Sequence, residues 1–323
     1  MRRLVASLAI PILLASAQAL GQTQAFPSRA IRMITTVPPG SAPDVVARTV
    51  AQKLAVNIGV PVTVDNRTGA GGLIGANATI NAAPDGYTVL MADTGVFAIL
   101  PNLKSTFDPL KSLTPVTSAG TTPIYLAVAA GLNVNSVKDL VALAKNKPGM
   151  PYGSGGTGGA AHLFMELIKT LGGVEMTHIP YKGVAPAVQA LVTGEVVAVF
   201  SGVNLLVPME KAGKLKIIAV ASQQRIARMP DLPTVAESGL PGFNMNTLTL
   251  GFFVPTGTPP DIVDKLRTDL SAALKAPEVR ERLAGLAVDE PTDSSAESLA
   301  QTVRAELAQY AKLIKAAGVT AQQ

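Results

Sequence analysis

The sequence runs to 323 residues, 48% of them apolar, with 27 Lys and Arg against 22 Asp and Glu. That length and apolar content suit two domains with cores of their own. The complete lack of cysteine excludes a disulfide framework, a thiol nucleophile and a thiolate metal site, and a net charge of +5 without a basic, aromatic-interleaved cluster argues against nucleic acid as a partner.

The chain opens Met1-Arg2-Arg3, continues with an apolar run from Leu4 to Leu14, and then passes small residues up to Ala25. This order of charge, apolar core and small residues predicts a secretory signal peptide over residues 1–25, cleaved between about Ala19 and Ala25. The apolar run is shorter than the roughly 20 residues that span a bilayer. Loss of Arg2 and Arg3 takes the charge excess from +5 to +3.

Beyond it, short β-branched runs alternate with helical patterns. Ile31 to Val37 reads as a strand, followed by Ala47, Val50, Ala51 and Leu54 at helical spacing. Val62 to Asn66 and Thr88 to Asp93 read as strands around a helix from about Gly72 to Ala83. Ile124 to Ala130 precedes a helix over Val137 to Lys145, and Leu163, Phe164, Leu167, Ile168 and Leu171 mark another. Met176 to Pro180, Val196 to Phe200 and Leu215 to Ala221 are further strands, and Pro259 to Ala273 and Ser294 to Ala317 are amphipathic helices. The alternation predicts an α/β fold with mostly parallel sheets. Two domains without a low-complexity linker suggest a chain that crosses between them more than once.

Three loops between a strand and a helix are rich in glycine or proline: "TTVPPGSAPD" (35–44), "NRTGAGGLIGA" (66–76) and "YGSGGTGGAAH" (152–162). In the first, Ser41 and Asp44 fit a capping box, with Pro43 in the first turn of the helix. Free amides at a helix start, with the dipole behind them, form an anion site, and glycine lets the ligand approach the backbone. Plain tight turns are the competing reading.

Other chemistries fit less well. Gly153, Gly155 and Gly158 match the dinucleotide pattern, but the next strand ends His178-Ile179-Pro180-Tyr181-Lys182 without the acid that would hold a ribose. No Gly-Lys-Ser/Thr follows a glycine run, and Ser154 has Tyr152 where a nucleophile elbow needs glycine. His162 and His178 have no close acid or cysteine in sequence, so no metal site or cofactor is expected.

The segments "PPGSAPDVVAR" (38–48), "VDNRTGAGGLIGA" (64–76), "AAPDGYTVLMADT" (82–94), "YGSGGTGGAAHL" (152–163), "HIPYKGVAPAVQALVTGEV" (178–196), "MPDLPTVAESGLPGF" (229–243) and "FFVPTGTPPDIVDKL" (252–266) follow in one order along the chain. Together they resemble the Bug family, the periplasmic receptors of tripartite tricarboxylate transporters. The resemblance implies a Venus flytrap like the type II periplasmic binding proteins, with two α/β lobes joined by crossing strands. Lobe 1 would comprise residues 26–123 and 248–323, and lobe 2 residues 124–247, with the C-terminal helices returning to lobe 1. It implies a non-catalytic monomer that binds a small organic carboxylate and delivers it to membrane transporter subunits. The ligand contacts would be Val37, Gly40, Ser41, Ala42 and Asp44 from the first loop, Ser154, Thr157, Gly158, Gly159, Ala160 and His162 from the second, with Thr94 and Thr249 between them.

Departures from the family pattern bear on the ligand. Relatives often carry aromatics where Val37 and Thr249 stand, a glycine-serine pair at Ser41-Ala42, and an aspartate at Val197. The expectation is a cleft with spare apolar volume, no partner for an ammonium group, and a preference for aromatic or medium-length aliphatic carboxylates. Two rival functions stay open: a carboxylate receptor that signals to a sensor, and a secreted enzyme using the same cleft.

Overall fold

The computed structural model describes residues 26–103, 107–245 and 247–319. The expected signal peptide lies outside these residues. The chain first builds β1 (Ile31–Thr35), α1 (Ala42–Ile58), β2 (Val62–Asn66), α2 (Leu73–Ile80) and β3 (Thr88–Asp93). A π-helical turn at Gly95–Ile99 leads to the short α3 (Leu100–Leu103) and α4 (Pro109–Ser112), then β4 (Leu113–Thr122).

One residue later β5 (Ile124–Ala129) starts a second unit: α5 (Val137–Asn146), β6 (Met150–Ser154), α6 (Ala160–Gly172), β7 (Met176–Pro180), α7 (Val184–Thr193), β8 (Ala198–Ser201), α8 (Val203–Lys211) and β9 (Leu215–Ala221). The chain then returns through β10 (Leu248–Pro255) to α9 (Pro260–Lys275), α10 (Pro277–Gly285) and α11 (Ala296–Ala317).

The strands form two five-stranded sheets, ordered β2-β1-β3-β10-β4 and β7-β6-β8-β5-β9. The result is the expected two-lobed α/β architecture. The sheets are mixed rather than mostly parallel. β10 runs antiparallel to β3 and β4, and β5 antiparallel to β8 and β9. The physical reason is the double crossing: a strand that enters a sheet from the other lobe starts at the edge where the resident strands end. Leu250 therefore pairs with Asp93, and Tyr125 with Ser201. The ends of β1, β3, β6 and β8 thus face the hinge, where α/β sheets place their ligands.

The stripe read for α1 is buried throughout, whereas the one read for α6 is buried except at Leu171, which lies near the helix end and is 40% exposed. In α6, Leu163, Phe164, Leu167 and Ile168 are buried, and Gly173 closes the helix in the left-handed region. The C-terminal helices differ from the expectation in one respect. α9 and α10 pack on α1 of the first lobe, but α11 touches β4, the π-turn and also α6 of the second lobe. One apolar cluster consequently runs from Ile34, Leu90 and Phe97 through Leu299, Val303 and Tyr310 of α11 to Phe164 and Phe200. α11 is a brace across the hinge.

Candidate functional site

In the first loop the capping box does not form. Ser41 is the N-cap of α1 with no side-chain cap bond; its Oγ donates instead to the Pro38 carbonyl at 2.8 Å. Asp44 reaches past Ser41 to the Gly40 amide (2.9 Å) and accepts from Arg48 Nε (3.1 Å) and Asn66 Nδ2 (2.7 Å). Asn66 Nδ2 also donates to the Val37 carbonyl at 3.0 Å. Burial alone would raise the Asp44 carboxyl, but the bonds from Asn66, Arg48 and Gly40 hold it below the usual range. Asp44 is buried and shapes the loop from behind. No side chain caps the first amides of α1.

In the second loop Gly159 caps α6, again without a side-chain bond. Gly158 sits at φ +80° and its amide donates to His162 Nδ1 at 3.0 Å. That bond puts the His162 proton on Nε2, which lies 3.9 Å from Glu166 Oε1. Sequence reading found no acid near the histidines. The helix supplies one, because Glu166 follows His162 by one turn. The two imidazoles stack with centroids 3.9 Å apart, and Tyr152 continues the stack over His178 at 5.1 Å. Burial lowers His178 to about 4, and burial also lowers His162, so both rings are neutral at pH 7. Ser154 Oγ lies 2.7 Å from His178 Nε2 and bonds the Gly156 carbonyl (3.0 Å) and amide (3.2 Å). Neutral rings and a buried Ser154 form a packed floor beneath the α6 N-terminus. Thr157 and Ala160 flank that N-terminus, half-buried.

The loops meet lobe to lobe. Asn204 Nδ2 donates to the Gly40 carbonyl at 3.2 Å. A Cβ on Gly183 would stand 2.9 Å from Pro38 Cγ, one on Gly202 3.7 Å from the Ala42 Cβ, and one on Gly158 2.6 Å from Leu103 Cδ1. The N-termini of α7 and α8, capped only by Gly183 and Gly202, therefore join those of α1 and α6 at one seam. Sequence reading missed the last two. The signal was present in "YKGVAP" and "FSGVNL", each a single glycine between a strand end and a helix.

Thr94 and Thr249 turn inward. Thr94 Oγ1 donates to Glu306 Oε2 at 2.7 Å and accepts from the Thr249 amide at 2.8 Å, while the Thr249 hydroxyl donates to Glu306 Oε1. Asp93 beside them accepts from the Gly95 amide at 2.9 Å. Val197 lies at the far end of β8, its amide bonded to the Pro151 carbonyl. At about 3.3 Å per residue it stands roughly 13 Å from Ser201, the end that faces the seam. Its replacement of an acid therefore says nothing about an ammonium partner.

Among the described residues no three His, Asp or Glu side chains cluster as a metal site, and no helix is long and apolar enough to cross a membrane. The family model described as "Tripartite tricarboxylate transporter family receptor" matches residues 46–319. The chain belongs to that family. It is 35% identical over 318 residues to the "UPF0065 protein in tcbD-tcbE intergenic region" of Pseudomonas sp. strain P51, covering 97% of this chain and 93% of that one. Its fold matches the periplasmic binding protein BugD at 32% identity and a TM-score of 0.85, over 92% of this chain and all of that one. It also matches the R. palustris protein Rpa4515 with adipate (32%, TM-score 0.86, 91% and 99% coverage). MatC from Rhodopseudomonas palustris, with bound malate, matches at 31% and 0.83, over 90% and 100%. The family and fold relatives are solute-binding proteins.

Proposed function

We propose that this receptor is exported to the periplasm, captures a small organic carboxylate between its lobes, and delivers it to the membrane subunits of a tripartite tricarboxylate-type transporter. The single observation that carries this reading is the convergence of the uncapped N-termini of α1 and α6 at the interlobe seam. Each dipole end contributes about 0.3–1 kcal/mol toward an anion, and each amide bond to a charged acceptor about 1.5–3 kcal/mol. Adipate and malate in two fold relatives support the ligand class.

The proposed contacts are the amides of the loop from Val37 to Ala42 and of Thr157 to His162. In this reading Asp44, Ser154 and the His162 ring hold the loops in shape, while Thr94 and Thr249 set the hinge behind them. Lobe 1 takes residues 26–123 and 248–323, lobe 2 residues 124–247, and the protein works as a monomer. A thermal-shift screen of carboxylic acids on the mature protein tests the function. A ligand at about 100 times its dissociation constant adds about 2.7 kcal/mol of stability, so a true ligand raises the midpoint by several degrees, and no response to any acid contradicts the reading.

The Ser154–His178 contact is the one observation favouring an enzyme. Ser154 is 1% exposed and its hydroxyl is already shared with Gly156. Mass spectrometry of candidate acids and their esters after incubation with the protein separates the readings: turnover means an enzyme, and intact compounds a receptor.

A further inference from the structure

The seam holds polar atoms that the two carboxylate loops do not use. Ser201 ends β8 and is 2% exposed, yet its Oγ has no hydrogen-bond partner among the described residues. By strand alternation it shares the face of Val199, which α7 and α8 cover. Three residues on, in the first turn of α8, Asn204 is half-buried, and its Oδ1 is shielded from solvent and has no hydrogen-bond partner among the described residues. The amide orientation is fixed, because Nδ2 is the atom that donates to the Gly40 carbonyl across the seam. The free atom is therefore an acceptor. It lies 2.9 Å from where a Cβ on Gly202 would stand, so the absence of a side chain at 202 leaves it room.

Buried polar groups are nearly always partnered, so each exception calls for an occupant such as water, an ion or a ligand group. The two orphans select the group that would satisfy them. A carboxylate accepts from Ser201 but repels Asn204 Oδ1. An alkyl group satisfies neither. An ammonium satisfies both, but it would sit against the positive ends of α7 and α8. A hydroxyl donates to Asn204, accepts from Ser201 and carries no charge.

Resting on the carboxylate reading, we infer that Ser201 and Asn204 read a hydroxyl on the ligand, so that the receptor selects hydroxycarboxylates over their deoxy counterparts. The carboxylate sits at α1 and α6, and the hydroxyl at the start of α8.

The test is calorimetry on pairs that differ by one hydroxyl: malate and succinate, 3-hydroxyadipate and adipate, 3-hydroxybutyrate and butyrate, 4-hydroxybenzoate and benzoate. In at least one pair the hydroxy acid should bind about tenfold tighter, the worth of a net hydrogen bond. Ser201→Ala should erase that preference while the deoxy acid keeps its affinity, and Asn204→Leu, which also cuts the bond to Gly40, should erase it while weakening both acids of a pair. Ser201→Ala should also leave the ligand-free unfolding midpoint unchanged, since it removes no existing bond. Equal affinities within every pair that binds, as expected if water fills the place, overturn the inference but leave the carboxylate reading standing. So does a preference that survives both substitutions. No binding by any acid removes both.

Discussion

Thr94 and Glu306 stand 212 positions apart in the chain and share a 2.7 Å hydrogen bond at the hinge. Thr249, on the returning strand β10, donates to the same carboxylate. Glu306 thus ties the end of β3 and the start of β10 to α11, which itself spans both lobes. Burial, with the negative charge of Asp93 acting the same way, pushes this carboxyl up to about 7 against an ordinary 4.5, although the two threonine bonds pull it down. Between those pH values the folded state holds a proton that the unfolded state has lost, so stability falls as pH rises. The penalty is complete above pH 7 and amounts to at most about 3 kcal/mol. Glu306→Gln should flatten the fall in unfolding midpoint between pH 5 and 8. Parallel slopes for mutant and wild type would contradict this.

Gly158 and Gly159 of the second loop separate cleanly. Gly158→Val should destabilise the protein itself, because φ +80° strains a side chain and Leu103 stands 2.6 Å from its Cβ. At Gly159 the nearest neighbour to a Cβ is the Gly156 carbonyl, at 3.6 Å. Gly159→Val should therefore keep its circular dichroism spectrum and midpoint yet lose carboxylate binding at least tenfold, one amide contact's worth. Normal binding in calorimetry would make that loop a structural turn.

Asp44 is predicted to act through the first loop's shape. Asp44→Ala leaves the Gly40 amide and Arg48 without their carboxylate and should cost about 1–3 kcal/mol, read by urea unfolding. Affinity should fall with it, because the Gly40–Ala42 backbone loses its anchor. A variant that unfolds and binds like wild type would contradict the assignment.

Motion follows from the seam. Gly40 bonds Asn204 and Pro38 abuts Gly183, so the structure has the lobes together. Ligand should draw a more open population into this state, and small-angle scattering should show a smaller radius of gyration at saturation. An unchanged radius for a ligand proven to bind would mean that the α11 brace holds the lobes fixed.

Much of this was legible in the sequence, and the remainder failed for physical reasons. Helical spacing exposed α1, α6 and α11, and glycine between a strand and a helix exposed the first two anion loops. The capping box at Ser41 and Asp44 matched in spacing but not in partners, since Asn66 and Arg48, brought in by β2 and α1, compete for Asp44. The strands β4, β6 and β10 were hidden because proline and glycine interrupt their runs of strand-forming residues. "LTPVTSAGTT" becomes a strand by pairing with β10 at the edge of its sheet, where α9 and α11 pack against it. The inward turn of Thr94 and Thr249 depends on Glu306, a partner no local reading supplies.

The most direct test of the account is calorimetric titration of the mature wild-type protein and Gly159→Val with mono- and dicarboxylates at pH 7. One site per chain is expected, with saturable binding of at least one acid by the wild type and loss of that binding in the variant. Failure of every acid to bind the wild type, or equal binding by the variant, would contradict it.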